Sequence, residues 1–201
     1  MENKAILMSI RPQYVAKILN GEKTIEIRKK FPKDYVGWVY IYCTKDNKEG
    51  LHIVKDKWVC IKHNKVLKEC CYNGIVVGRF WCDKVEEITA YPFEAPEHPR
   101  GYQVGYDTPT IEWDKLCNLS CLSRDELFDY LAVKNIRNGG YAIHITKLEV
   151  FDKPREISEF YTKNLYTNVN DMFTDEKQLE DGSWIRPLKK APQSWQFIEG
   201  K

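Results

Sequence analysis

The chain has 201 residues, enough for one well-buried domain, with 43% apolar and 30% charged residues, values that exclude bulk disorder. The net charge of +2 hides a division: residues 21–68 carry twelve Lys and Arg against six Asp and Glu, a net +6, while residues 69–201 carry a net −6. A basic first third suits a phosphate-bearing partner, or is simply a set of solvated lysines. No stretch approaches the roughly 20 apolar residues of a membrane span and "MENKAILMSIRPQYV" has no apolar signal core, so a cytoplasmic protein without membrane association is expected.

In chain order, "AILMSI" (5–10) is an apolar run suited to a buried strand. Pro12 then opens a helix whose apolar face holds Tyr14, Val15, Ile18 and Leu19, and Gly21 is placed to end it. "KTIEIR" (23–28) alternates: Ile25 and Ile27 point one way, and Thr24, Glu26 and Arg28 the other. "YVGWVYIYCT" (35–44) reads as a central strand. Residues 45–73 are polar and lysine-rich, with a short strand at "WVCIK", and read as a hairpin or excursion. "GIVVGRFWCDKVEEI" (74–88) reads as one long strand with a bulge or bend at Gly78, and the Pro- and Gly-rich residues 92–109 as a loop. Ser123 and Glu126 form a capping box ahead of Leu127, Phe128 and Leu131, predicting the second helix. After Gly139–Gly140, "YAIHITKLEVF" reads as another long strand; "DKPREISEFY" holds a turn and a short helix. Residues 162–183 read as loop, and "PQSWQFIE" as a closing strand with Trp195 and Phe197 two apart. Strands that outnumber helices without regular interleaving predict an α+β fold: a mixed sheet, curled or closed, with helices at its ends, in one domain with insertions.

The seven cysteines are scattered and read as reduced thiols. "CIKHNKVLKECC" brings Cys60, His63, Cys70 and Cys71 near one another, and "CNLSC" adds Cys117 and Cys121. No paired CxxC knuckle accompanies them, so neither a metal site nor a cofactor is predicted. The histidines at 52, 63, 98 and 144 are dispersed, and no Ser-His-Asp arrangement is visible.

Lys23, Glu26 and Arg28 crowd into six positions. On the residues alone two readings stand: a surface ion pair worth about 0–1 kcal/mol, or a site in which Arg28 binds phosphate or a base edge and Glu26 accepts from an exocyclic amine. Arg11 and Lys29 would extend the positive charge. Trp195 is the first candidate for stacking on a base, ahead of Trp38 and Trp81, and is equally placed to plug a barrel.

The stretch "SIRPQYVAKILNGEKTIEIRKKFP" resembles the signature of the activating-signal-cointegrator homology (ASCH) domain of the PUA-like superfamily, whose Gly-x-Lys-x-x-Glu-x-Arg motif is met by Gly21, Lys23, Glu26 and Arg28. "VYIYCT", "VVGRFWCDKVEEI", "CLSRDELFDYL", "YAIHITKLEVFDKPREISEF" and "PQSWQFIE" are similar to a subgroup frequent in phages and prophages. The resemblance implies a PUA-like mixed β-barrel flanked by helices, a single domain over residues 1–201 with variable excursions at about 45–73 and 162–188. It implies a basic cleft around the motif that binds RNA, single-stranded nucleic acid or a nucleotide, with Arg11, Lys23, Glu26, Arg28, Lys29, Gln193 and Trp195 as its contacts. Some small relatives hydrolyse acylated cytidine with a Lys-Thr-Glu set in a Lys-x-x-Thr-x-Arg pattern, and one type has been described as a ribonuclease. Here Glu26 stands in that Thr position and Thr24 is displaced, so the reading leans away from an enzyme. If the protein is one, Lys23 and Glu26 would carry a metal-independent hydrolysis of a nucleoside or RNA. A protein-interaction adaptor using residues 45–73 is the further alternative.

Overall fold

A computed structural model describes residues 4–63, 71–90, 102–104, 111–131, 139–163 and 177–199. The chain forms two compact units, one from Met1–Ala16, Gly37–Phe80 and Glu149–Lys201, the other from Lys17–Val36 and Trp81–Leu148.

The first unit is organised on an eight-stranded sheet. Strand β1 (Lys4–Ile10) is buried at every position after Lys4, as its unbroken apolar run requires of a strand covered on both faces. It pairs in parallel with β3 (Gly37–Cys43), Ile6 opposite Val39, and antiparallel with β14 (Trp195–Glu199), Met8 opposite Trp195. With β6 (Val76–Cys82), β10 (Thr146–Arg155), β11 (Tyr161–Lys163), β12 (Lys177–Gln178) and β13 (Trp184–Pro187), the order is β10-β6-β3-β1-β14-β11-β13-β12. Leu7, Tyr40, Tyr42, Val76, Phe160, Leu188 and Ile198 form the core of this unit. The excursion contains a hairpin of β4 (Glu49–Val54) and β5 (Lys57–Lys62) closed by Lys55 and Asp56, both at positive φ (49° and 60°), the geometry of a two-residue primed turn.

The second unit holds a four-stranded sheet, β2 (Ile25–Arg28), β9 (Gly140–His144), β7 (Val85–Ala90) and β8 (Tyr102–Val104), in the order β2-β9-β7-β8. Ile25, Ile27, Ile88 and Ala142 on one face pack with Leu116 and Cys117 of α2 (Trp113–Ser120) and Leu127 and Leu131 of α3 (Arg124–Leu131). The expected capping box is present: the Ser123 amide donates to Glu126 at 2.8 Å, and the Glu126 amide to Ser123 Oγ at 3.2 Å. Helix α1 (Pro12–Leu19) starts at Pro12 as expected and buries Val15, Ala16, Ile18 and Leu19. The short helix expected near residue 157 is a single 3₁₀ turn, Ile157–Glu159, with its own Glu156–Glu159 capping box.

Three expectations are corrected. The strand read over 74–88 is two strands, β6 and β7, in different sheets, and the strand read over 141–151 is likewise β9 and β10. Neither corner carries a Gly or Pro, Asp83–Lys84 and Ile145 being the residues that turn, so no breaker marks either one in the sequence. Gly78 lies inside β6 rather than at a bend; a Cβ there would stand 2.5 Å from the Glu149 carbonyl oxygen, so glycine permits the close approach of β10. Helix α2 was not predicted at all. The strands β11, β12 and β13 fall in or beside the region read as loop, whereas Cys70, His98 and most of the Pro-rich 92–109 stretch lie outside the described residues.

Candidate functional site

Gly21 stops α1 at φ +74°, a conformation that favours glycine. The amide of Gly21 donates to the Ile18 carbonyl at 2.9 Å, and those of Glu22 and Lys23 to the Lys17 carbonyl at 2.9 and 3.1 Å. These bonds tie the Lys23 backbone to the end of the helix. The Thr24 amide then donates to the Leu119 carbonyl at 2.9 Å, which docks the start of β2 against α2.

The Lys23 ammonium donates to the Ser120 carbonyl at 2.6 Å. Ser120 is the last residue of α2, and Cys121 beyond it is left-handed (φ 52°), so Lys23 meets the unsatisfied carbonyl end of a helix, where a cation is favoured. Lys17 Nζ supports the same turn, 3.3 Å from the Cys121 carbonyl. Lys23 Nζ also stands 3.4 Å from Glu26 Oε2, and Arg28 Nη2 stands 3.1 Å from Glu26 Oε1. Lys23, Glu26 and Arg28 thus form one chain of alternating charge, with relative exposures of only 2%, 6% and 9%. The exposed ion pair considered from sequence is therefore not what forms. Both faces of β2 are buried, and Glu26 and Arg28 sit on the face opposite Ile25 and Ile27.

Two features give the group chemical character. Burial pulls the Lys23 ammonium below its ordinary pKa, and the Glu26 carboxylate opposes that shift without cancelling it. Glu26 Oε2 is buried with no hydrogen-bond partner among the described residues, its 3.4 Å approach to Lys23 being electrostatic rather than a well-formed hydrogen bond. The pKa direction fixes a pH dependence. Where the folded pKa lies below the unfolded one, the unfolded chain binds more protons, and stability rises with pH. Wild-type stability, measured by urea unfolding relative to Lys23→Met, should therefore increase from the lowered folded pKa up to the ordinary value of 10.5. A difference that stays flat or falls over that range would mean that Lys23 is not desolvated.

The remaining expected contacts are distributed. Lys29 is exposed and its ammonium lies 5.4 Å from the centre of the Tyr130 ring. Arg11, Gln193 and Trp195 belong to the first unit. Arg11 and Gln193 are exposed there, and Trp195 is half-buried in β14 with its ring edge-on to Phe197 at 5.6 Å. Trp38 has the Arg79 guanidinium 4.0 Å over its ring, and Trp81 has Lys147 at 5.7 Å.

Sequence reasoning missed a second buried acid. Glu86 of β7 bonds His144 Nε2 at 2.5 Å and Lys84 at 2.8 Å. Strand register sets Glu86 beside Ala142, on the face of Ile25 and Ile27 and opposite the Lys23–Glu26–Arg28 group. The Lys84-x-Glu86 spacing was the available signal, but "DKVEEI" reads as a surface strand until its partner strand is known.

No protein-family model matches the sequence, and no curated protein matches it. Solved structures do. The crystal structure of ASCH from Zymomonas mobilis aligns over 98% of this chain and 88% of that one, with 14% identity and a TM-score of 0.50. That of a Ser-to-Ala mutant of the same protein aligns over 98% and 89%, with 14% identity and a TM-score of 0.51. The chain has the ASCH fold. At this identity the likeness establishes the ASCH architecture and leaves the ligand and the chemistry to the residues. The mixed sheets and the three α-helices among the described residues agree with the α+β expectation.

Proposed function

We propose that the protein is an ASCH-family, PUA-like binder of a nucleotide or single-stranded RNA, with Lys23, Glu26 and Arg28 as the recognition group. The observation that carries this reading is the buried Glu26 carboxylate, its Oε1 beside Arg28 and its Oε2 beside Lys23, with Oε2 making no hydrogen bond among the described residues. A carboxylate so placed is matched by the exocyclic amine of a base, and two cations against one anion leave a positive charge that a phosphate would neutralise. Arg28, the most exposed of the three, is the group a ligand meets first, and its planar fork suits phosphate or a base edge. The family resemblance of "GEKTIEIR" supports the same assignment, as does the basic excess around it. In this reading the fold is PUA-like, and Lys29 extends the contact surface of the motif. A cytoplasmic protein of the phage or prophage subgroup fits the same assignment.

Binding to a panel of nucleotides, modified nucleosides and short RNAs tests it. Affinity should fall with salt as phosphate contacts release counterions, and Arg28→Ala should weaken it at least about tenfold, the size of one charge-assisted hydrogen bond. Absence of salt-dependent binding to every member of the panel would overturn the proposal.

A second reading is favoured by the lowered Lys23 pKa. An amine that is more readily deprotonated serves as base or nucleophile in hydrolysing an acylated nucleoside. Turnover of acylcytidine or RNA that disappears in Lys23→Arg, which keeps the charge and cannot lose its proton, would select it over simple binding.

A further inference from the structure

Two histidines meet at the base of the β4–β5 hairpin in the first unit. Gly50 of β4 has no positive φ that would call for glycine; space requires it. A Cβ at Gly50 would stand 2.6 Å from His63 Cε1, 2.8 Å from His52 Nε2 and 2.9 Å from Cys71 Cβ. Both imidazoles therefore press on bare backbone, with no room for a water between ring and chain. His52 is only 6% exposed, and the register puts it on the hairpin face of Gly50, Val54, Lys57, Val59 and Ile61.

Nothing in this setting suits a positive charge. His52 Nε2 and His63 Nδ1 are both buried without a hydrogen-bond partner, and His63 is held by its Nε2, 3.0 Å from the Asp46 carbonyl oxygen. The nearby carboxylates are turned elsewhere. Asp46 accepts from the Lys48 and Glu49 amides at 2.6 and 3.1 Å. Glu49 lies on the other face of the hairpin, opposite Lys62, and accepts from the Cys60 thiol at 3.4 Å. Lys57 shares the His52 face, and His63 and Cys71 are the other titratable groups against the patch. An imidazolium at His52 would thus be buried without a counter-charge, which is costly. Burial, with His63 nearby, accordingly holds the His52 pKa below its ordinary 6.5.

The hairpin is also lightly anchored. Among the described residues β4 and β5 pair with each other and with no other strand, and two strands alone are marginal in water. Their seat is the segment at 71–73. The Tyr72 amide donates to the Leu51 carbonyl at 2.9 Å, while Asn73 accepts from the Leu51 amide at 2.9 Å and donates to the Glu49 carbonyl at 2.8 Å. Those bonds and the buried Leu51 side chain are what a charge at His52 would work against.

We propose that the β4–β5 hairpin is an acid-released element, docked while His52 is neutral and freed from the 71–73 segment when His52 takes a proton. Release exposes the ring to water, which solvates the charge that the docked hairpin cannot. The open form binds the extra proton, so opening is favoured as pH falls below 6.5 and until the docked ring itself titrates. Above 6.5 the docked form keeps its full stability.

Amide exchange followed by NMR on the full chain tests this, read as protection factors so that the intrinsic pH dependence drops out. Protection in β4 and β5 should fall about tenfold between about pH 7.5 and about pH 5.5, the limit for one proton. Strands β1 and β3, inside the eight-stranded sheet, should hold theirs. His52→Phe, a ring with no proton to gain, should remove the fall. Val59→Glu, which sets a carboxylate across from His52, should remove it as well. The wild-type His52 ring proton, which needs no variant, should titrate below 6.5. Level protection in β4 and β5 over that range, a fall that persists in His52→Phe, or a His52 ring that titrates at 6.5 or above would overturn the proposal.

Discussion

Glu26→Ala is expected to destabilise the protein by about 3–5 kcal/mol, the loss typical of removing one partner from a buried ion pair. Glu26 stands in contact with two enclosed cations, Lys23 at 3.4 Å and Arg28 at 3.1 Å. Truncation leaves Lys23 with the Ser120 carbonyl at 2.6 Å and takes from Arg28 its carboxylate partner at 3.1 Å. Glu26→Gln should be milder, since an amide oxygen still accepts from Arg28. The double variant Lys23→Met/Glu26→Gln should recover part of the remaining loss, because it removes one of the two cations together with the charge that balanced it. Urea unfolding at neutral pH reads the effect, with an unchanged m-value as the check that the midpoint reports stability. A loss of less than about 1 kcal/mol for Glu26→Ala is the behaviour of a solvated surface pair. It would remove the physical basis for treating this group as a site.

The limits of the sequence are clearest at this same group. Gly21 as a helix stop, the alternation of Ile25 and Ile27 against Glu26 and Arg28, and the crowding of charge were all legible, because each is a local property of "GEKTIEIR". Burial was not. The partner of Lys23 is the Ser120 carbonyl, 97 positions away, at the end of a helix the sequence did not announce. That helix follows a Pro-rich stretch and has no side-chain N-cap; its signal was the spacing of Leu116, Cys117 and Ser120, its buried residues. The same rule explains the strands. Strand-forming composition does not say which sheet a residue joins, so β6 and β7, with no Gly or Pro between them, read as one strand although they serve different sheets. Conversely, the Ser123–Glu126 box and Pro12 at the start of α1 were read correctly, since capping chemistry is complete within four residues.

Gly139→Ala is expected to cost about 3 kcal/mol or more, at the upper end of overpacking effects. "GG" at the start of β9 reads in the sequence as turn punctuation, but its main requirement is space. A Cβ on Gly139 would stand 1.8 Å from the Ile88 carbonyl oxygen and 2.9 Å from the carbon that bears it, and both are backbone atoms of β7. No rotamer relieves such a clash; β9 must separate from β7. At Gly140, which pairs with Ile88, a Cβ would meet the Arg28 carbonyl oxygen at 2.7 Å and Leu131 Cδ2 at 2.6 Å. The leucine methyl can move, whereas the β2 carbonyl can move only with its strand. The two substitutions therefore differ in kind. Gly139→Ala loosens the β7–β9 edge and should lower the urea midpoint most, while Gly140→Ala presses on the residue that carries the guanidinium. Gly140→Ala should thus lose less stability, about 1–3 kcal/mol, yet weaken ligand binding more for each unit of stability lost. Amide exchange at β7 and β9, measured beside the binding assay, separates the effects. A Gly139→Ala protein within about 0.5 kcal/mol of wild type would mean that β9 does not lie so close to β7. Arg28 would then be held by its ion pair with Glu26 rather than by a strand with no room to shift.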